Sequence, residues 1–121
     1  MTRPTNADVY KALKYNITID RVGTRRYYNS AGQLHRDDGP AVEYADGVTA
    51  WYQNNLLHRT DGPAVEWKNG GEEWWQNGQL HRVDGPAVIQ YNGRKFWYLH
   101  DKEFTNIAQY TACVRQLSEI C

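Results

Sequence analysis

Leu57-His58-Arg59-Thr60-Asp61-Gly62-Pro63-Ala64-Val65 is the stretch that decides how this chain is read. The same string, with one variable position, stands at 34–42 and again at 80–88. Leu-His-Arg-x-Asp-Gly-Pro-Ala-Val therefore occurs three times at a step of 23 residues (57 − 34 and 80 − 57), with no insertion. The period reaches further out: Asp46-Gly47 becomes Asn69-Gly70 and Asn92-Gly93, and Tyr28 is matched to Trp51, Trp74 and Trp97. A fixed period of this length marks one supersecondary unit stacked on copies of itself.

Each unit reads as β structure, because its apolar and aromatic runs are short and end at Asp-Gly or Asn-Gly. Ala41-Val42-Glu43-Tyr44 enters the first turn and Thr49-Ala50-Trp51-Tyr52-Gln53 leaves it. The hairpin recurs as Ala64 to Trp67 with Glu72 to Gln76, and as Ala87 to Tyr91 with Lys95 to Leu99. A second turn, Asn54-Asn55 or Asn77-Gly78, leads into the Leu-His-Arg connection. Pro40, Pro63 and Pro86 open strands, where a missing amide donor is tolerated. Ile17-Thr18-Ile19 and Arg25-Arg26-Tyr27-Tyr28 read as a degenerate hairpin without the Asp-Gly-Pro signature. Asn6 to Tyr15 reads as a short helix, and Phe104, Ile107, Thr111, Val114 and Leu117 recur at helical spacing between Glu103 and Glu119. The expected organisation of residues 1–121 is a single repeat domain, mainly β, an open array of antiparallel hairpins. It divides into an N-terminal segment (1–15), a degenerate hairpin (16–33), three 23-residue repeats (34–100) and a C-terminal helix that caps the sheet (101–121).

Composition limits what such a domain does. The chain has 121 residues with Lys+Arg 14 against Asp+Glu 14, so no bulk charge attracts nucleic acid. Hydrophobic residues make up 40% and aromatic ones 13%, with five Trp and nine Tyr against two Phe and one Met, which predicts a core built from large amphipathic rings. No apolar run reaches the length of a membrane span, and Met1 to Asn6 does not resemble a secretory leader, so a cytoplasmic setting is expected, that of the host if the chain is viral. Cys113 and Cys121 would stand about 12 Å apart on one unbroken helix, too far for a disulfide, which predicts two free thiols. With no phosphate-cradling glycine loop, no nucleophile beside a base and no metal-ligand spacing, the expectation is no enzyme, no catalytic residue, no cofactor and no metal.

The pattern aromatic-x-x-Asn-Gly-x-Leu-His-Arg-x-Asp-Gly-Pro-Ala-x-x-Tyr-x-Asn-Gly, best seen from Trp74 to Gly93, resembles the MORN repeat family and its bacterial antitoxin-like relatives over roughly residues 27–100. The family usually has Gly where this chain has Arg36, Arg59 and Arg82. The Leu-His-Arg and Asp-Gly-Pro-Ala variant also looks like small repeat proteins of bacteria and their tailed phages. This resemblance implies an open, twisted array of hairpins that binds proteins or sometimes lipids, with no shared chemistry.

Neighbours on a strand point to opposite faces, so Tyr28, Trp51, Trp74 and Trp97 should form one ladder and Tyr52, Trp75 and Tyr98 the other. One ladder is core; the second is either packed or an exposed platform. His35, His58 and His81 with Asp38, Asp61 and Asp84 could be acid–base pairs, but a group repeated at every step is better explained by what the stack requires. Arg36, Arg59 and Arg82 would form a basic row if they point outward. The third repeat replaces Glu43 and Glu66 by Ile89, and Ala50 and Glu73 by Phe96, so a patch of Ile89, Tyr91, Phe96 and Tyr98 is expected beside the C-terminal helix, leaving Glu43, Glu66, Glu72 and Glu73 solvated.

The leading expectation is a non-enzymatic module that binds a partner protein through an aromatic and arginine-lined face made of Tyr52, Trp75, Tyr98, Arg59 and Arg82. On the phage and bacterial resemblance, its most concrete form is a small inhibitor of a bacterial defence or effector protein. Two alternatives stay open. One is a nucleotide-binding sponge that stacks a base on Trp75 or Tyr98 and pairs phosphates with Arg59 and Arg82. The other is a self-assembling unit, such as a homodimer joined through sheet edges.

Overall fold

A computed structural model describes residues 14–116. The helix expected over Asn6–Tyr15 lies almost entirely outside the described residues. What is described is mainly β and antiparallel throughout, with one C-terminal helix. Nine strands form one open sheet: β1 (Asn16–Ile19), β2 (Arg25–Tyr28), β3 (Val42–Glu43), β4 (Thr49–Ala50), β7 (Val65–Glu66), β8 (Glu72–Glu73), β11 (Val88–Ile89), β12 (Lys95–Leu99) and β13 (Lys102–Phe104), adjacent in that order. Two small hairpins stand beside it, β5 (Tyr52–Gln53) with β6 (Leu56–Leu57), and β9 (Trp75–Gln76) with β10 (Gln79–Leu80). Helix α1 (Ile107–Gln116) packs on β12 and β13.

Two kinds of turn build each unit. At Asp46-Gly47, Asn69-Gly70 and Asn92-Gly93 the Asx oxygen accepts the amide two residues on, from Val48, Gly71 and Arg94, each at 3.1 Å. The glycine that follows sits at positive φ (95°, 95° and 86°), where a side chain would be strained. The second turn places both central residues at positive φ: Asn54 and Asn55 (50° and 69°), then Asn77 and Gly78 (50° and 76°). This is the mirror-image turn whose twist suits a two-residue hairpin.

The second strand of the hairpin, expected to run unbroken from Thr49 to Gln53, turns a corner at Trp51 instead. The Trp51 amide donates to Ala64 O of the next repeat (2.7 Å), while its carbonyl accepts from His58 N of the small hairpin (3.0 Å). Trp74 does the same between Ala87 O (2.6 Å) and His81 N (3.0 Å). The strand changes partner at one residue, so it leaves one sheet and enters another. The residue at the equivalent first corner is Tyr27, donating to Ala41 O (2.8 Å) and accepting from His35 N (3.0 Å). Tyr28 bridges Leu34 as Tyr52 pairs with Leu57. The match of Tyr28 to Trp51 is therefore out by one, because the Asn29–Gln33 turn holds one residue more than the turns at Asn54-Asn55 and Asn77-Gly78.

The C-terminal segment is shorter as a helix than its apolar spacing predicts. His100 and Asp101 form a third mirror-image turn (φ 47° and 66°), 23 residues after Asn77 and Gly78, and Lys102–Phe104 returns as β13. Helix α1 starts only at Ile107. It buries Tyr110 with Leu99 and Phe104, and Trp97, Cys113 and Val114 pack against them, whereas Ile107 is exposed. Cys113 is disulfide-bonded, which overturns the expectation of free thiols. The 12 Å separation assumed one helix through both cysteines; α1 is described to Gln116, and Cys121 lies outside the described residues.

Register decides the faces. Val42, Ala50, Val65, Glu73, Val88 and Phe96 stand opposite one another across successive strands and share one face; Glu43, Thr49, Glu66, Glu72, Ile89 and Lys95 share the other. Val42, Val48, Ala50 and Val65 form the buried cluster on the first face, with Leu34, Tyr52, Leu57 and Trp75 packed against it. The apolar patch expected in the third repeat is split, because Val88 pairs with Phe96 while Ile89 pairs with Lys95 on the opposite face. The helix covers Trp97 and Leu99, which lie on the Ile89 side of the sheet.

Candidate functional site

The arginines do not point outward. Arg36, Arg59 and Arg82 lay their guanidinium groups 4.0, 4.0 and 3.7 Å from the ring centroids of Tyr27, Trp51 and Trp74. In each, Nε donates to the aspartate two residues on (Asp38 3.1 Å, Asp61 2.9 Å, Asp84 2.9 Å), and Nη1 donates to the proline carbonyl four residues on (3.2, 3.1 and 3.1 Å). The glycine between them explains itself here. A Cβ on Gly39, Gly62 or Gly85 would stand 2.8, 2.7 or 3.0 Å from the arginine Cζ. Arg-x-Asp-Gly-Pro is thus one device: Gly leaves room, Asp and Pro supply acceptors, and the corner ring supplies a π face. Arg59 also meets Glu66 at 3.0 Å and Arg36 meets Glu43 at 3.5 Å; Ile89 removes that partner from Arg82. Arg59 holds the Asp61 carboxyl below its ordinary range by hydrogen bonding and charge. A free arginine-lined face, expected from the sequence, is therefore absent at Arg36, Arg59 and Arg82.

The histidines join one repeat to the next. Nδ1 of His35, His58 and His81 accepts the first amide of the following turn, from Asn54 (3.2 Å), Asn77 (3.0 Å) and His100 (3.1 Å). The leucine before each histidine takes the second residue of that turn on its carbonyl: Asn55 N to Leu34 O, Gly78 N to Leu57 O and Asp101 N to Leu80 O, each at 2.9 Å. These rings hold the stack. His81, buried and 4.2 Å from the His100 ring, has its pKa pushed down by burial and then by His100.

Two tyrosines from outside the repeats close the row of loops. The Tyr15 hydroxyl accepts the Asp37 amide (3.0 Å) and its ring meets Tyr27 edge-on. The Tyr110 hydroxyl donates to Arg82 O and accepts the Gly85 amide (3.3 Å). Neither tyrosine was legible as a cap in the sequence, since each acts 22 to 28 positions away.

Of the expected site residues, Tyr52 and Trp75 lie on the face that carries the buried cluster and are half-buried against it; Tyr98 is half-buried in the third repeat. Burial pushes the Tyr52 and Tyr98 phenols up. Arg59 and Arg82 lie on the opposite face beneath which Trp51 and Trp74 sit, so the structure does not bring these five residues together. Among the open features is a groove on the Tyr52 side, about 420 Å³, between the first and second repeats; others lie between Trp67 and Tyr91 and along the loop side of Trp51 and Arg59. Tyr44 (39% exposed) and Trp67 (46% exposed) stand beside it, with Tyr52, Val48 and Leu57 in its walls. Tyr44 and Trp67 are also 23 residues apart, but each stands just past the end of the first strand of its hairpin, outside both ladders read from the second strands.

Glu73 occupies the groove where the previous repeat has Ala50. Its Oε2 accepts the Trp67 indole N–H (3.0 Å) and its Oε1 the Trp75 indole N–H (2.9 Å). Glu72, one residue earlier and on the other face, accepts the Trp74 indole at 3.3 Å. The acids expected to be merely solvated are therefore engaged, Glu43 and Glu66 by arginines and Glu72 and Glu73 by indoles. Among the described residues no group of three His, Cys, Asp or Glu side chains converges as a metal site would, and no helix is long and apolar enough to cross a membrane. No family model, curated protein or solved structure matches this chain.

Proposed function

We propose that this chain is a non-enzymatic, MORN-like repeat module that binds a partner protein through the aromatic groove on its Tyr52 face. The observation that carries the reading is the pair of exposed large rings, Tyr44 and Trp67, flanking a groove of about 420 Å³ on the face that carries the buried cluster. Exposed aromatic side chains bring large area at little entropic cost, which is why they dominate protein-binding hot spots. Tyr52 lines the groove, Trp75 stands behind it with its indole N–H on the Glu73 carboxylate, and Tyr98 extends the same face into the third repeat. Arg59 and Arg82 act on this reading as framework. The most concrete version, a small phage-type inhibitor of a bacterial defence or effector protein acting in the host cytoplasm, draws its support from the resemblance of the Leu-His-Arg-x-Asp-Gly-Pro-Ala repeat.

Affinity capture from bacterial lysate with the full chain tests this. The wild type is expected to retain a specific protein that the Tyr44→Ala/Trp67→Ala variant loses while keeping its fold. Recovery of the same proteins by both, or of none by either, overturns the reading.

The nucleotide-sponge alternative loses its phosphate ligands, because both guanidinium groups are already hydrogen-bonded and stacked. Self-assembly is favoured by one observation: edge strand β1 is exposed along its whole length, with Ile17 and Ile19 in water. Light scattering that gives a monomer at high concentration removes this homodimer reading, and a dimer lost on Ile19→Lys substitution supports it.

A further inference from the structure

The groove holds negative charge without a counter-ion. Most acids of the loops and of the opposite face meet a base: Asp38, Asp61, Asp84, Glu43 and Glu66 each face an arginine. Among the described residues Glu73 faces none. Its two hydrogen bonds come from neutral indoles, so both oxygens keep acceptor capacity and the charge stays uncompensated. Asp46, at the rim, accepts only the Val48 amide among the described residues. No described lysine, arginine or histidine lines the groove; the Lys68 stem runs past Gly47 outside the rim, and its ammonium forms no ion pair with Asp46 or Glu73.

The remaining walls suit a cation as well. The rings of Tyr44, Tyr52 and Trp67 line the groove, and the quadrupole of an aromatic face attracts positive charge, most strongly where water is displaced. Leu57 offers an apolar surface to an alkyl stem, as long basic side chains require. A purely apolar occupant would strip water from Glu73 without replacing its hydration, which is costly, and an acidic one would add repulsion.

We propose that this groove seats a lysine or arginine side chain of the partner polypeptide, with Glu73 and Asp46 as its counter-charges and Tyr44, Tyr52 and Trp67 as its cage. The inference rests on the binding-module reading and adds to it the chemistry of the partner's anchor residue.

Acetylated, amidated Gly-Lys-Gly and Gly-Arg-Gly are titrated into the ¹⁵N-labelled full chain, with Gly-Gln-Gly as control. Saturable shifts of the Trp67 and Trp75 indole resonances are expected for the basic tripeptides and none for the control. Asp46→Asn keeps an oxygen for the Val48 amide but removes the charge, and should weaken binding by about twofold to fivefold. Glu73→Gln should weaken it further. Equal shifts with the glutamine peptide, or unchanged affinity in folded Asp46→Asn, overturn the proposal. Should Glu73→Gln fail to fold, salt decides: binding of the basic tripeptides must fall as sodium chloride rises, and salt-independent binding sinks the idea. If a captured partner is lost in Tyr44→Ala/Trp67→Ala while the tripeptides do not bind, the module reading stands and the basic anchor falls. Tripeptide binding with no partner captured supports the cation site and overturns the module reading.

Discussion

The Arg59 guanidinium lies 4.0 Å over the ring of Trp51, eight residues earlier in the chain, and is bonded there to Asp61 and to the Pro63 carbonyl. One side chain thereby ties the corner of one hairpin to the connection that starts the next. The same relation joins Arg82 to Trp74 and Arg36 to Tyr27, so a cation–ring clamp is repeated at every connecting loop.

Arg59→Ala should destabilise the chain by about 2–3 kcal/mol, the sum of charge-assisted hydrogen bonds and a partly desolvated ring contact. Arg59→Lys should recover less than half of this, because one ammonium cannot stack flat on Trp51 while bonding Asp61 and Pro63. Urea midpoints at constant slope measure both; a lysine variant as stable as wild type contradicts the clamp.

Gly62→Ala places a methyl 2.7 Å from Arg59 Cζ, so the guanidinium must shift from its position over Trp51. The expected loss is about 1–3 kcal/mol. Since the loss acts through Arg59, it should shrink in an Arg59→Ala background. A double-mutant cycle reads this directly, and strict additivity would show that Gly62 acts through its backbone instead.

His81 gives stability a pH dependence of definite sign. Its folded pKa is below the ordinary value of 6.5, first from burial and then from His100, so the unfolded chain binds the proton more readily. Its stabilising contribution is present above pH 6.5 and is lost as pH falls through the folded pKa, where protonation also removes the Nδ1 acceptor from the His100 amide. Unfolding midpoints across this window should drop on acidification, and His81→Gln should flatten the drop. An unchanged slope in that variant would place the effect elsewhere.

With Cys113 in a disulfide, a thiol assay on the denatured, unreduced chain should find no free thiol, and two after reduction, since the sequence contains 2 cysteines. Alkylation in intact cells before lysis then tests the cytoplasmic setting: reducing compartments keep such bonds open, so a fully oxidised Cys113 in vivo argues against it.

Legible in the amino-acid sequence were the 23-residue period, the hairpins at Asp46-Gly47, Asn69-Gly70 and Asn92-Gly93, the places of the second turns and the antiparallel, mainly β class, but not the corners at Trp51 and Trp74 that split off the small hairpins. Apart from the period, each rests on residues within about five positions: Asn or Asp before a positive-φ glycine, and proline where no amide is needed. It also carried Arg-x-Asp-Gly-Pro, but not its meaning. Whether Arg59 turns to solvent or folds onto Trp51 depends on a ring eight residues back, and that ring's place depends on a corner made by Ala64 of the next repeat. The one-residue shift of Tyr27, the return strand at Lys102–Phe104 and the groove between Tyr44 and Trp67 were likewise settled by pairing between repeats. His58 meets its partner Asn77 only after 19 intervening steps of chain have folded back. Local spacing writes the unit; contacts between units decide which face is sealed by arginine and which is left open.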